Sequence, residues 1–463
     1  MSTLHQDRHL KAKIYPQIRI YPDFTYLSSA PSDYQNYIQN KLVPPVISWF
    51  QEAIRVKYPV LGNFKLGNSV PIICTKPTPE ILLTTGVSAD FFIFFDSDVW
   101  GGYTVASSKY CFLSATTKRP LIATTIFNRN VMVPAGNDVL KHEKNTYLLI
   151  HEMMHTLGFS ANAYEFFIDD NGNRRTGHIK YVSLDGKNTT VIDVPPLTDR
   201  LRSFFGCEAI PGAYMENDGG SGTKDSHFER RLFVYEAMSS GDIFGRRVSE
   251  FSLAMLEGTG WYLPNYKFAE PYSFGQGQGC GFIEGVYSGD FYESCQGIGR
   301  GCSPNGLSGG KCYSDVLANG HKYHLPDENY HCENIDAIYS ARLPDLQVFG
   351  RGTESKCFAG NLHDIASNSD LTTFCFKYSC SGEGQDTVLN IHIGNESIAC
   401  ESEGEAIVNG YEGSIYCPDP LAFCNTVGVQ FCPRNCMGRG TCIGNRCECH
   451  KGFGGVDCGL NIE

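Results

Sequence analysis

Twenty cysteines are spread unevenly along 463 residues: only Cys74, Cys111 and Cys207 lie before residue 280, and seventeen follow from Cys280 onward. Such a density belongs to an oxidising compartment, and it requires that the C-terminal two-fifths be stapled by disulfides rather than held by one large apolar core. A secreted or cell-surface protein is therefore expected, and the sequons at Asn188 and Asn395 permit glycosylation there. The length is too great for one core and suggests about three domains. Cys74 and Cys111 can pair with each other. That leaves Cys207 and the eleven cysteines from Cys280 to Cys424, an odd set that one bridge from Cys207 would complete. The competing reading of Cys207 is a free buried thiol.

The string LLIHEMMHTLGFS places His151 and His155 four positions apart, with Glu152 between them. On a helix of 3.6 residues per turn both imidazoles face one way and reach a single ion, for which zinc is the expected identity, while Glu152 is placed to act as general base on a water the ion activates. A surface helix with two ordinary histidines is the plainer reading. However, chance supplies roughly 0.02 such strings in a chain of this composition. Apolar residues Val139, Leu140, Tyr147, Leu148 and Ile150 recur near helical spacing upstream, Asp138 is an available N-cap, and Gly158 stands where a helix ends in a left-handed residue. The pair is predicted on the last two turns of a long, buried helix.

A net charge of −12 argues against nucleic-acid binding and mildly favours basic or neutral substrates. No run of 18 apolar residues is present, so no transmembrane segment is expected, and the C-terminus DCGLNIE lacks the apolar tail of a lipid-anchor signal. The N-terminal MSTLHQDRHLKAKIYP has no apolar leader.

Four regions are expected in an α+β multidomain chain. Residues 14–160 alternate strand-like runs (17–21, 82–85, 91–95, 121–126) with helical patterns (34–57 and the histidine helix), which predicts a mixed sheet on two long helices. Residues 161–275 are loop-rich. In them DDNGN (169–173) reads as a hairpin turn; a calcium loop fails because Arg174 and Lys180 replace the required glycine and glutamate. Residues 276–425 form a cysteine-rich domain with little regular core. Finally, 426–463 carry Cys432, Cys436, Cys442, Cys447, Cys449 and Cys458 at C-x3-C-x5-C-x4-C-x-C-x8-C, which resembles an EGF-like module whose six cysteines pair internally and which lacks the acidic cluster for calcium.

A hydrolytic zinc needs three protein ligands and one open position. In metzincins the third is a histidine six residues after the second; here that position is Ala161, although Gly158 is kept. The downstream candidates are His178, at the start of a strand and suited to a surface or packing role, and His227, which follows the glycine-rich GGSGTKDSH and precedes Met238 in YEAMSS. HEMMHTLGFS, GSGTKDSHFERRLFVYEAMSS, LAMLEGTGWYLPNY and FGQGQGCGF, in that order over residues 151–282, resemble the leishmanolysin-like metallopeptidases, in which an insertion separates the glycine from the third histidine. The resemblance implies a metzincin-like α/β N-terminal domain, one Zn2+ per chain on His151, His155 and His227, Glu152 as general base, and Met238 in a structural Met-turn. It implies protein or peptide substrates hydrolysed as by a zinc metalloendopeptidase. Family members usually carry a propeptide cysteine that can block the zinc; no cysteine precedes Cys74 here.

Two other classes compete. A catalytically silent adhesion protein would use the cysteine-rich and EGF-like regions to bind a cell-surface partner, but then Glu152 would have no task. A structural zinc site would close its fourth position with Cys or His, and none stands near the motif.

Overall fold

The computed structural model describes residues 14–285, except 68–69, 137 and 242, and residues 294–462, except 296–299, 334–349, 353, 363–372, 430, 444–445 and 456. The first thirteen residues, which include much of the stretch read as having no apolar leader, lie outside the described residues.

The N-terminal part is built on a four-stranded mixed sheet. Its strands are β1 (Ile20–Asp23), β2 (Phe91–Asp98), β3 (Ala106–Leu113) and β4 (Pro120–Asn128), in the spatial order β1-β2-β4-β3. β2 runs parallel to β1 and β4, and β3 is antiparallel to β4 at the edge. The run FFIFF explains why β2 is central. Phe91, Ile93 and Phe95 alternate into the main core, and Phe92 and Phe94 point the other way, into a second cluster with Leu82, Cys74 and Ile122. A strand with both faces apolar is stable only when both are covered.

The histidine helix, α1 (Val139–Leu157), packs across β3 and β4. Its ends follow the sequence signals. The Asp138 side chain accepts from the Lys141 N–H at 3.0 Å, and Gly158 closes the helix with φ 130°. A Cβ at Gly158 would lie 2.9 Å from Trp261 Cζ3. Gly158→Ala is therefore expected to cost about 1–3 kcal/mol through backbone strain and crowding, read as a lowered thermal midpoint.

The helical expectation for 34–57 is too long. Helix runs through Ser32–Asn36, a wider π-type turn and Val43–Ala53, and then Ile54–Val56 becomes a strand paired with a segment far along the chain, Tyr262–Pro264. The β-branched Ile54 and Val56 suit a strand once a partner is supplied. The strand expected at 82–85 is also corrected: Glu80–Leu83 is a short helix after Pro79, whose carbonyl accepts from the Leu82 N–H.

Residues 169–173 form the expected turn, with Asp169 Oδ1 accepting from the Asn171 and Asn173 N–H groups beside an Ile168–Arg174 bridge. The cysteine-rich region is more regular than expected. It holds a three-stranded and a four-stranded antiparallel sheet and a core that includes Phe358, Phe376, Leu389, Ile391 and Ile415. The alternation in VLNIHI (Val388–Ile393), with Leu389, Ile391 and Ile393 buried, is the pattern that the cysteines obscured.

All twenty cysteines are paired. Cys74 bonds Cys111, Cys207 bonds Cys280, and the last six pair among themselves as Cys432–Cys442, Cys436–Cys447 and Cys449–Cys458. This C-terminal segment is not a free appendage. Arg434, 1% exposed, reaches under the N-terminal part of α1: its Nε lies 2.8 Å from Asp457, its Nη1 3.6 Å from Glu143, and its guanidinium 4.5 Å above the Tyr147 ring.

Candidate metal centre

His151 and His155 lie one turn apart on α1, and their Nε2 atoms are 3.0 Å apart. His227 completes the group, its Nε2 3.2 Å from that of His151 and 3.3 Å from that of His155. The chain reaches this geometry by a detour of 65 residues that returns beside its own starting point, with the Ala161 N–H 3.5 Å from Ser226 Oγ. His227 thus arrives next to the position where a contiguous motif would place its third histidine.

Each ring is oriented by a backbone carbonyl. Nδ1–H of His151 donates to Ala237 O at 2.7 Å, that of His155 to Phe159 O at 2.7 Å, and that of His227 to Thr223 O at 2.9 Å. With the proton fixed on Nδ1, every Nε2 presents a lone pair, and the three lone pairs face one another. Such a group is repulsive by itself and attractive around a cation, so the donor set fits a metal ion that prefers imidazole nitrogen. Burial, followed for His151 and His227 by the neighbouring imidazoles, disfavours protonation: His155 is lowered to about 4, His227 to about 3, and His151 well below its ordinary value. The rings are therefore neutral and ready to ligate at physiological pH. A second sulfur-rich cluster, Cys432, Cys436 and Cys447, is disulfide-bonded and offers no thiolate.

Glu152 is buried beside the group and lines the same cleft of about 1120 Å³. Burial raises its carboxyl to about 7, opposed by a hydrogen bond from Ser108 and by the Arg246 guanidinium.

His178 lies elsewhere. It is buried, bonds Tyr164 O through Nε2 at 2.8 Å and stacks on Phe167, which is the packing role and not the surface one of the two expected for it. Met238 is fully buried in the turn that also supplies Ala237 O to His151. This turn is held by Glu236, a residue the sequence did not single out. Its carboxylate accepts from the Met238 N–H, from Ser249 Oγ at 2.8 Å and from Ser252 Oγ at 2.6 Å. The orienting carbonyls of Phe159, Thr223 and Ala237 were equally invisible, because a backbone acceptor leaves no mark on residue type.

Three histidines whose ligand atoms lie this close together could hold one metal ion, in a cleft that Glu152 also lines. The family model for leishmanolysin matches residues 31–312, well over half of the chain, and the chain belongs to the leishmanolysin family of metallopeptidases. It is 32% identical over 215 residues to a leishmanolysin-like peptidase of Caenorhabditis elegans, covering 39% of this chain and 32% of the relative. It is 29% identical over 435 residues to that of Drosophila melanogaster, covering 71% and 62%. A ciliated left-right organizer metallopeptidase of Danio rerio is 26% identical over 326 residues, covering 65% and 49%. The chain thus spans between 32% and 62% of the length of these relatives.

Proposed function

We propose that this chain is a zinc-dependent endopeptidase that hydrolyses peptide bonds in proteins. The observation that carries the reading is the convergence of three Nε2 lone pairs next to a buried glutamate at the floor of an open cleft. His151, His155 and His227 would hold one Zn2+, which when bound supplies a Lewis acid that acidifies water and polarises a carbonyl.

The chain's own groups do the rest. Glu152 accepts a proton from the attacking water and passes it to the leaving amine. Its low-dielectric surroundings suit that exchange, since a carboxyl drawn towards neutrality both takes and gives a proton readily. β3 is an edge strand whose residues Ala106–Tyr110 line the cleft, so an extended peptide can pair with it as an added strand and lie across the histidines. Met238 and the Glu236 carboxylate support the floor beneath by fixing the turn that orients His151.

A four-part organisation at 14–160, 161–275, 276–425 and 426–463 belongs to this reading, as does a secreted or cell-surface setting, which ten disulfides support. Among the described residues no helix is long and apolar enough to cross a membrane. A cell-surface partner of the last segment would use a face other than the one buried by Arg434.

Cleavage of an unfolded protein substrate that stops with a chelator and returns with Zn2+ is the expected result. His227→Ala removes one of three ligands and should lower zinc affinity by about 10-fold or more, together with activity; metal content after dialysis checks it. If His178→Ala lost the metal instead, the third ligand would be misassigned.

A further inference from the structure

The charge of the whole chain and the charge of its cleft have opposite signs. Among the described residues that line the cleft, six are cationic (Lys109, Lys141, Lys144, Lys224, Arg246 and Arg247) and three are carboxylates (Glu143, Glu152 and Glu333). The net charge of the chain is −12.

The carboxylates are answered from behind the wall. Glu143 faces Arg434 at 3.6 Å, Glu333 faces Lys356 at 2.5 Å, and Glu152 is the proposed base. The cations come from four separate segments that line the same cleft as the triad. Lys144 shares a helix stripe with Leu148, His151 and His155, at spacings of four, seven and eleven residues. Lys109 projects from the edge strand β3. Lys224 follows Thr223, whose carbonyl orients His227. Arg246 stands behind His151, with Nη1 donating to Ala237 O at 3.0 Å. Among the described residues Lys109, Lys141 and Lys224 form no ion pair, and Lys109 and Lys224 are exposed.

Cations without an ion pair on the lining of a cleft, here Lys109, Lys141 and Lys224, raise the local concentration of anionic ligands, and neighbouring low-dielectric walls focus the field. We infer that the cleft selects peptide segments carrying Asp or Glu on either side of the bond to be cut. The inference rests on the peptidase reading for its chemistry, but not for its binding preference.

The test uses three peptides with a common core and flanks of Glu, Ala or Lys, given to the full chain loaded with Zn2+. Cleavage is followed by kcat/KM, and binding is measured separately by fluorescence anisotropy on the same protein. The Glu-flanked peptide should be bound and cut best, with an advantage that shrinks as salt rises. The double variant Lys109→Glu/Lys224→Glu should reduce the ratio of Glu-flanked to Lys-flanked peptide roughly tenfold. Lys65→Glu, the same change of charge at an exposed lysine that does not line the cleft, should leave that ratio unchanged.

Equal or better binding of the Lys-flanked peptide overturns the inference, as does an equal effect of Lys65→Glu. Preferential binding of the Glu-flanked peptide with no cleavage of any peptide would sustain the cleft preference and sink the peptidase reading. Cleavage of all three at one rate with equal binding would do the reverse.

Discussion

Glu152→Gln is expected to leave zinc bound at one ion per chain while lowering kcat by roughly 10²–10⁴-fold. The three imidazoles are oriented by carbonyls of Phe159, Thr223 and Ala237, none of which depends on the Glu152 side chain, so metal content and thermal midpoint should stay close to those of the parent. The amide has nearly the shape of the carboxylate but cannot take a proton from water. Its effect should therefore fall on kcat, with KM little changed. Burial by itself raises Glu152 in the parent to about 7, and a divalent cation on the neighbouring histidines favours the carboxylate and lowers that value. Activity should thus be lost as pH falls through a point below 7, on a limb that the glutamine variant lacks. A variant with substantial residual proteolysis, or one that loses its zinc, would remove Glu152 from this role.

The largest effect on stability is expected far along the chain from the histidines. Arg434 places a buried guanidinium among Asp457, Glu143 and the Tyr147 ring, and its backbone N–H donates to Glu270 at 3.2 Å. Glu270 also accepts from Tyr147 Oη at 2.8 Å and from the Val248 N–H at 2.9 Å, so this carboxylate ties α1, the segment after the Met238 turn and the C-terminal segment together. Residues Arg434–Met437 take φ values of 48–54°, a left-handed run that costs about 1–2 kcal/mol per residue in isolation. Arg434→Met removes the cation and leaves Asp457 buried without its partner. Breaking such a pair typically costs about 3–5 kcal/mol. The expected result is a lowered thermal midpoint and early proteolysis of the C-terminal segment, and adding Asp457→Asn should restore part of the loss. A midpoint unchanged within error would show that the segment stands independently of α1.

The local elements were legible where one periodicity prevailed. α1 carries its own N-cap, apolar stripe and closing glycine, and the five residues FFIFF read as a strand, whose cover on both faces the fold supplies. The sequence misled where a distant partner decided. Ile54–Val56 continues a helical pattern but pairs with Tyr262–Pro264, on the far side of the histidine helix in the chain, and Leu82 is drawn into a helix by the nearby Pro79. In the cysteine-rich region the disulfide signal masked the alternation of a real sheet.

Residue type and spacing alone thus determined the helix, the two histidines it presents and the glutamate between them, while Cys207 stood open between a free thiol and the bridge to Cys280 that the fold shows. They could nominate His227 through its family context, but only the folded chain brings Ser226 beside Ala161 and its neighbour's nitrogen within 3.3 Å of the other two. The same holds for the carbonyls that aim the rings, the burial of Arg434 beneath α1 and the cationic lining of the cleft. Helical spacing is a property of adjacent residues, whereas convergence of groups from separate segments depends on how loops close and which faces are buried, and no local pattern encodes that.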